Sequence, residues 1–183
     1  MPVMTPEDLH RFLEEEFPQA PPGITVEHVD DTTIRVRQKT LDTHLRPGGT
    51  ISGPTLMAMV DCGFYLLLLG RLGPPAVAMA VTTNLNINFM RKPEPGDLLG
   101  EGRLLKLGKT LAVGDFTIWS EGLEDPVAHA TVTYAIPPKR PAFSAALRSS
   151  SARPHHARGS MMCRAKRVSL TPFSAKSLSR RDC

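Results

Sequence analysis

The chain has 183 residues, 41% hydrophobic and 22% charged, which suits one globular domain with an appendage. Its formal net charge of +4 hides a division: residues 1–138 hold 11 Lys or Arg against 17 Asp or Glu, while 139–183 hold 11 against one. The pI of 9.2 is therefore a property of the tail, and a nucleic-acid reading of the whole chain does not follow from it.

The three cysteines, Cys62, Cys163 and Cys183, have no disulfide-framework or metal-ligand spacing. That argues against a disulfide scaffold or zinc site and for a reducing, cytoplasmic setting. The N-terminus lacks the basic start and apolar stretch of a signal peptide. The run from Pro54 to Gly70 falls short of the ~20 apolar residues that cross a bilayer, so a buried core helix is expected.

Thr5-Pro6-Glu7-Asp8 predicts a helix start: a capping hydroxyl, a proline in the first turn, and two acids at the positive dipole end. Leu9, Phe12, Leu13 and Phe17 then recur at helical spacing, and Pro18 and Pro21-Pro22-Gly23 end the element. Residues 24–29 alternate Ile24, Val26 and His28 against Thr25, Glu27 and Val29, and residues 32–38 alternate Ile34 and Val36 against Arg35 and Arg37. Asp30-Asp31 between them completes a hairpin with one buried face.

A loop over 39–52 carries Arg46-Pro47-Gly48-Gly49, and Ser52-Gly53-Pro54-Thr55 opens a long helix to about Leu69. That helix is apolar all round and must be enclosed on most sides. Four strands follow at roughly 76–91, 98–106, 111–120 and 127–136, with short turn-rich connections that favour antiparallel neighbours. The order predicts an α+β architecture, one antiparallel sheet of about six strands wrapping the central helix. The sheet's outer face needs a cover or a partner. Residues 139–183, Ser- and Arg-rich, are expected to form a disordered basic tail.

The stretch Arg46 to Asp61 (RPGGTISGPTLMAMVD) and the stretch Thr83 to Pro93 (TNLNINFMRKP), followed by Gly96-Asp97, resemble the phenylacetate-degradation-type (PaaI-like) acyl-CoA thioesterases of the hotdog superfamily. The resemblance covers about residues 20–137. It implies the hotdog fold, a homodimer or homotetramer, and hydrolysis of an acyl-CoA thioester without metal or cofactor. The family motif is His-Gly-Gly with an acid eight positions after the first Gly. Gly53 and Asp61 keep that spacing; Ser52 stands for the His, Pro54 for the second Gly, and Arg46 for an Asn six positions before the His.

Asp61 is a carboxylate inside an apolar helix, costly to bury unpaired. It is either a base or nucleophile facing a cleft, or a satisfied buried carboxylate, or one lying at a subunit contact. Gly53 sits where free amides and the positive dipole end converge, so it serves as oxyanion donor, alone or with Thr55, or simply as part of a helix cap. The separation along the helix keeps Asp61 from the Gly53 amide of its own subunit, and the resemblance supplies a dimer to join them. Arg46 and Ser52 are secondary substrate contacts. Asn84, Asn86 and Asn88 form a polar strand face, for substrate or for solvent. Arg91 and Lys92 are placed for coenzyme A phosphates or for solvent. His44 is expected on the loop surface and His129 within the sheet. The competing readings are a non-catalytic acyl-CoA or lipid-binding module, a hydratase, and a nucleic-acid role confined to the tail. Neither nucleic acid nor membrane is an expected partner.

Overall fold

The computed structural model describes residues 2–137; the expected tail lies outside them. Helix α1 spans Pro6–Glu15 behind the N-cap Thr5, whose side chain and that of Asp8 cap each other's backbone. Strands β1 (Ile24–Val29) and β2 (Thr33–Gln38) form the first hairpin. A short 3-10 turn over Asp42–His44 leads to the two-residue strands β3 (Leu45–Arg46) and β4 (Thr50–Ile51). The predicted loop thus contains a small hairpin, turned at Gly48 and Gly49, which have φ of 97° and 71°. Helix α2 spans Gly53–Leu72, and α3 is one turn at Pro74–Val77. Strands β5 (Val81–Phe89), β6 (Leu98–Leu107), β7 (Leu111–Ser120) and β8 (Ala128–Ala135) complete the fold.

The six long strands form one antiparallel sheet in the order β1-β2-β6-β7-β8-β5. Its inner face closes over α2. Ile34 and Val36 of β2, Ala112, Phe116 and Ile118 of β7, and Ala130 and Val132 of β8 are buried against Phe64 and Leu66–Leu69 of α2. Burying each large apolar side chain contributes about 2 kcal/mol. The helix reaches the sheet closely because glycines face it: a Cβ on Gly63 would lie 2.6 Å from the Phe116 ring. α2 is long and apolar enough to cross a membrane, yet 61% of its most apolar window is covered by the rest of the fold.

The outer sheet face is mixed, with Leu99, Val113 and Trp119 set among charged residues. Arg35 pairs with Glu101 at 3.4 Å and Arg103 with Asp115 at 3.0 Å, while Arg37 reaches Glu27 at 2.6 Å and Glu121 at 2.7 Å. Cross-strand charges of this kind are solvated and contribute little each, but they supply the wet face that an uncovered sheet requires.

Three local expectations are corrected. The strand predicted from residue 76 begins at Val81, because Gly73 (φ 75°) and Pro74-Pro75 start a helical turn instead. A β-bulge between Val26 and His28 breaks the alternation in β1, so Val29 is buried and His28 exposed. His44 is buried: its Nδ1 accepts the Leu41 N–H at 3.1 Å, and its carbonyl accepts the Ser52 N–H at 2.9 Å.

Candidate active site

Helical spacing puts Pro54, Met57, Ala58 and Asp61 on one face of α2. Pro54, Met57 and Ala58 are exposed, and Asp61 is partly so. Asp61 therefore stands at the border between the packed flank of the helix and its uncovered stripe. Its Oδ1 accepts two hydroxyl hydrogen bonds, from Thr82 at 2.5 Å and from Tyr134 at 2.6 Å. The Tyr134 hydroxyl also lies 3.0 Å from the Asp61 carbonyl oxygen.

These partners come from the two strands at one end of the sheet. Thr82 and Tyr134 are directly opposed in the β5–β8 register. A second β-bulge between Thr82 and Asn84 makes this possible. Strict alternation would put Thr82 on the same side as Asn84, Asn86 and Asn88. The extra residue turns it to the inner side with Leu85 and Ile87.

Asp61, Thr82 and Tyr134 open into a cavity of about 500 Å³ between α1, α2 and the β5–β8 end. Its wall is aromatic. Phe17 meets Tyr65 edge to face at 5.9 Å, Phe12 lies 6.5 Å from the same ring, and Tyr134 packs 6.3 Å from Tyr65. Glu16 is the other acid lining it. Burial, and then the Asp61 charge, push the Cys62 thiol up to about 12, so it is no nucleophile near neutral pH. Burial and then the Asp61 carboxylate likewise raise the Tyr134 phenol well above its ordinary value, with the Thr82 hydroxyl acting in the opposite sense.

The start of α2 forms a separate place. Ser52 is the N-cap, its Oγ accepting the Thr55 N–H and lying 2.9 Å from the Thr55 hydroxyl. Thr55 Oγ1 also donates to the His44 carbonyl at 3.3 Å. Both hydroxyls are thus engaged in the cap. Gly53 is the first helical residue, one position earlier than Pro54, and a helix's first amides lack intrahelical acceptors. A Cβ at Gly53 would touch the Phe89 ring at 3.4 Å. Gly53, Arg46 and Lys92 line a cavity of about 380 Å³ that shares no residue with the one at Asp61. Arg91 borders it too, its guanidinium paired with Asp125 at 2.9 Å and donating to the Pro126 carbonyl at 3.2 Å.

One protomer thus gathers Asp61 into one cavity and Gly53, Arg46, Arg91 and Lys92 around another. Asn84, Asn86 and Asn88 are exposed on the opposite side of β5 from Thr82's inner position and line neither cavity. His129 sits across from Asn88 and Thr117, on the face of β8 away from Tyr134. Sequence reasoning missed Thr82, Tyr134 and the aromatic wall. Thr82 is hidden by the bulge and Tyr134 by its distance of 73 residues from Asp61.

A profile of the thioesterase superfamily matches residues 48–127. The chain is 50% identical to a candidate thioesterase from Silicibacter sp. TM1040, whose crystal structure superimposes with a TM-score of 0.70 over 75% of this chain and 95% of that one. A hypothetical thioesterase of Streptococcus pneumoniae, crystallised with coenzyme A, matches at 21% identity and a TM-score of 0.60, over 74% of this chain and 98% of that one, which shows a shared fold. A curated relative described as a candidate esterase, from Halobacterium salinarum, is 26% identical over 99 residues; the match spans 52% of this chain and 65% of that relative. With the helix enclosed by a six-stranded antiparallel sheet already described, the chain belongs to the thioesterase superfamily and has its hotdog fold.

Proposed function

We propose that the protein hydrolyses an acyl-CoA thioester to the free acid and CoA, as a homodimer or a tetramer built from such dimers, in the reducing cytoplasm. The observation that carries this reading is the Asp61 carboxylate, held by two hydroxyls at the wall of an aromatic-lined cavity. One subunit supplies Asp61, and the Gly53 amide of its partner faces the developing oxyanion. As base, Asp61 takes a proton from water as the water adds to the thioester carbonyl. The C–S bond then breaks, and the CoA thiolate leaves with that proton. As nucleophile, the carboxylate adds to the carbonyl itself and the C–S bond breaks, expelling the CoA thiolate and leaving an anhydride; water then cleaves the anhydride to the free acid, restoring the carboxylate and giving the thiolate its proton.

Arg46, Arg91 and Lys92 around the Gly53 cavity suit the phosphates of coenzyme A. The coenzyme A bound in the pneumococcal relative supports that substrate class. Ser52, Thr55 and the three asparagines are the weaker substrate contacts, since the hydroxyls serve the helix cap and the asparagines line neither cavity.

A non-catalytic acyl-CoA-binding module is the second reading. It is favoured by Ser52 and Pro54 standing where the PaaI-like motif has His and Gly. Thiol release from short, medium, long and aryl acyl-CoAs decides between them. In the enzyme, Asp61→Asn lowers turnover by about 10² or more, in keeping with loss of a general base. Saturable acyl-CoA binding with no turnover by the wild type establishes the binding module.

A further inference from the structure

Asp61 carries an asymmetry that its helix alone does not explain. Both side-chain hydrogen bonds fall on Oδ1, while Oδ2 has no partner among the described residues. An ionised carboxylate is acceptor-only, and two hydroxyl donors on one oxygen fix the plane of the group and draw charge toward that oxygen. The donors differ in rigidity. Thr82 is exposed on an edge strand, whereas Tyr134 is 3% exposed, on a strand flanked on both sides. The Tyr134 ring is held by Phe64 at 5.9 Å and Tyr65 at 6.3 Å. Its hydroxyl reaches the backbone carbonyl of Asp61 as well as the carboxylate.

We propose that Tyr134 is the positioning residue of this site: its hydroxyl, with Thr82 beside it, pins Asp61 Oδ1 and leaves Oδ2 as the oxygen that meets water or the thioester. The inference rests on Asp61 acting as base or nucleophile. Because the phenol stays protonated through the working range, Tyr134 donates to the carboxylate throughout. The titratable and polar groups around Asp61 come from every neighbouring element: Glu16 lines the same cavity after α1, Cys62 and Tyr65 lie on α2, and Thr82 on β5 and Tyr134 on β8 bond to it. Glu16 is the one other carboxylate among them.

The test is Tyr134→Phe, which keeps the ring and removes the hydroxyl. It is assayed with the best acyl-CoA of the panel beside wild type and Asp61→Asn, and thermal melting confirms that each variant is folded. The expected result is a roughly tenfold fall in kcat with KM unchanged, as the loss of one hydrogen bond to the carboxylate implies, and no further fall when Tyr134→Phe is added to Asp61→Asn. A merely structural tyrosine lowers turnover by the same factor in both backgrounds, so an additive fall overturns the proposal. So does a variant with wild-type kcat. Wild-type turnover in Asp61→Asn overturns the reading of Asp61 itself, separately from the role of Tyr134.

Discussion

Gly114 has no side chain because two neighbours fill the space where one would stand. A Cβ there would overlap both the Phe64 ring and the Arg103 carbonyl. The carbonyl belongs to the adjacent strand and cannot move aside, so overpacking strains the sheet itself. Gly114→Ala is expected to destabilise the domain by about 3 kcal/mol, read from urea unfolding. Asp61 shows the same dependence on neighbours in its chemistry. Its position in an apolar helix was legible in the sequence as an expensive carboxylate. The two hydroxyls that make it affordable were not, since one lies behind a bulge and the other 73 residues away.

Turns and bulges decide what the elements present. Asp30 closes the β1–β2 hairpin by accepting the Thr32 N–H at 2.7 Å, the Thr33 N–H at 2.8 Å and the Thr33 hydroxyl at 2.6 Å. These donors, the Thr33 hydroxyl first, hold its carboxyl far below the ordinary 3.8. A carboxyl depressed in the folded state stabilises fully above its unfolded value, and that stabilisation is lost as pH falls toward the folded value. Asp30→Ala should therefore lower the melting temperature at neutral pH, with the gap to wild type narrowing below about pH 4. Calorimetric melts across pH check this. The hairpin was readable from its alternation and its Asp-Asp pair. The bulge at Val26/His28 was not, because it changes the facing of residues without changing their composition.

For the whole molecule, the decisive feature is the uncovered side of α2. Met57 is 42% exposed, and beside the helix start Phe89 and Met90 at the end of the edge strand β5 are 52% and 49% exposed. An apolar stripe next to an unpaired strand edge is a surface a second copy can bury. In one protomer the Gly53 and Asp61 cavities are separate, so the proposed chemistry needs that second copy. Met57→Asp should shift the protein toward monomer in sedimentation velocity and lower thioester turnover in step. A monomer with full turnover would sink the shared-site arrangement.

The sequence by itself determined the order of the long elements, the start of the central helix to within a residue, and the polar and apolar faces of most strands, and it marked Asp61 as a charge in an apolar helix. Each of these follows from local rules: capping chemistry, periodicity, and the cost of a charge among apolar neighbours. The tertiary structure alone decided that Thr82 turns inward, that Tyr134 joins it on one oxygen of Asp61, that aromatic rings of α1 and α2 wall the cavity, and that Gly53 opens elsewhere. Those facts depend on strand register, a single inserted residue and contacts between distant segments. Such contacts leave no periodic mark along the chain.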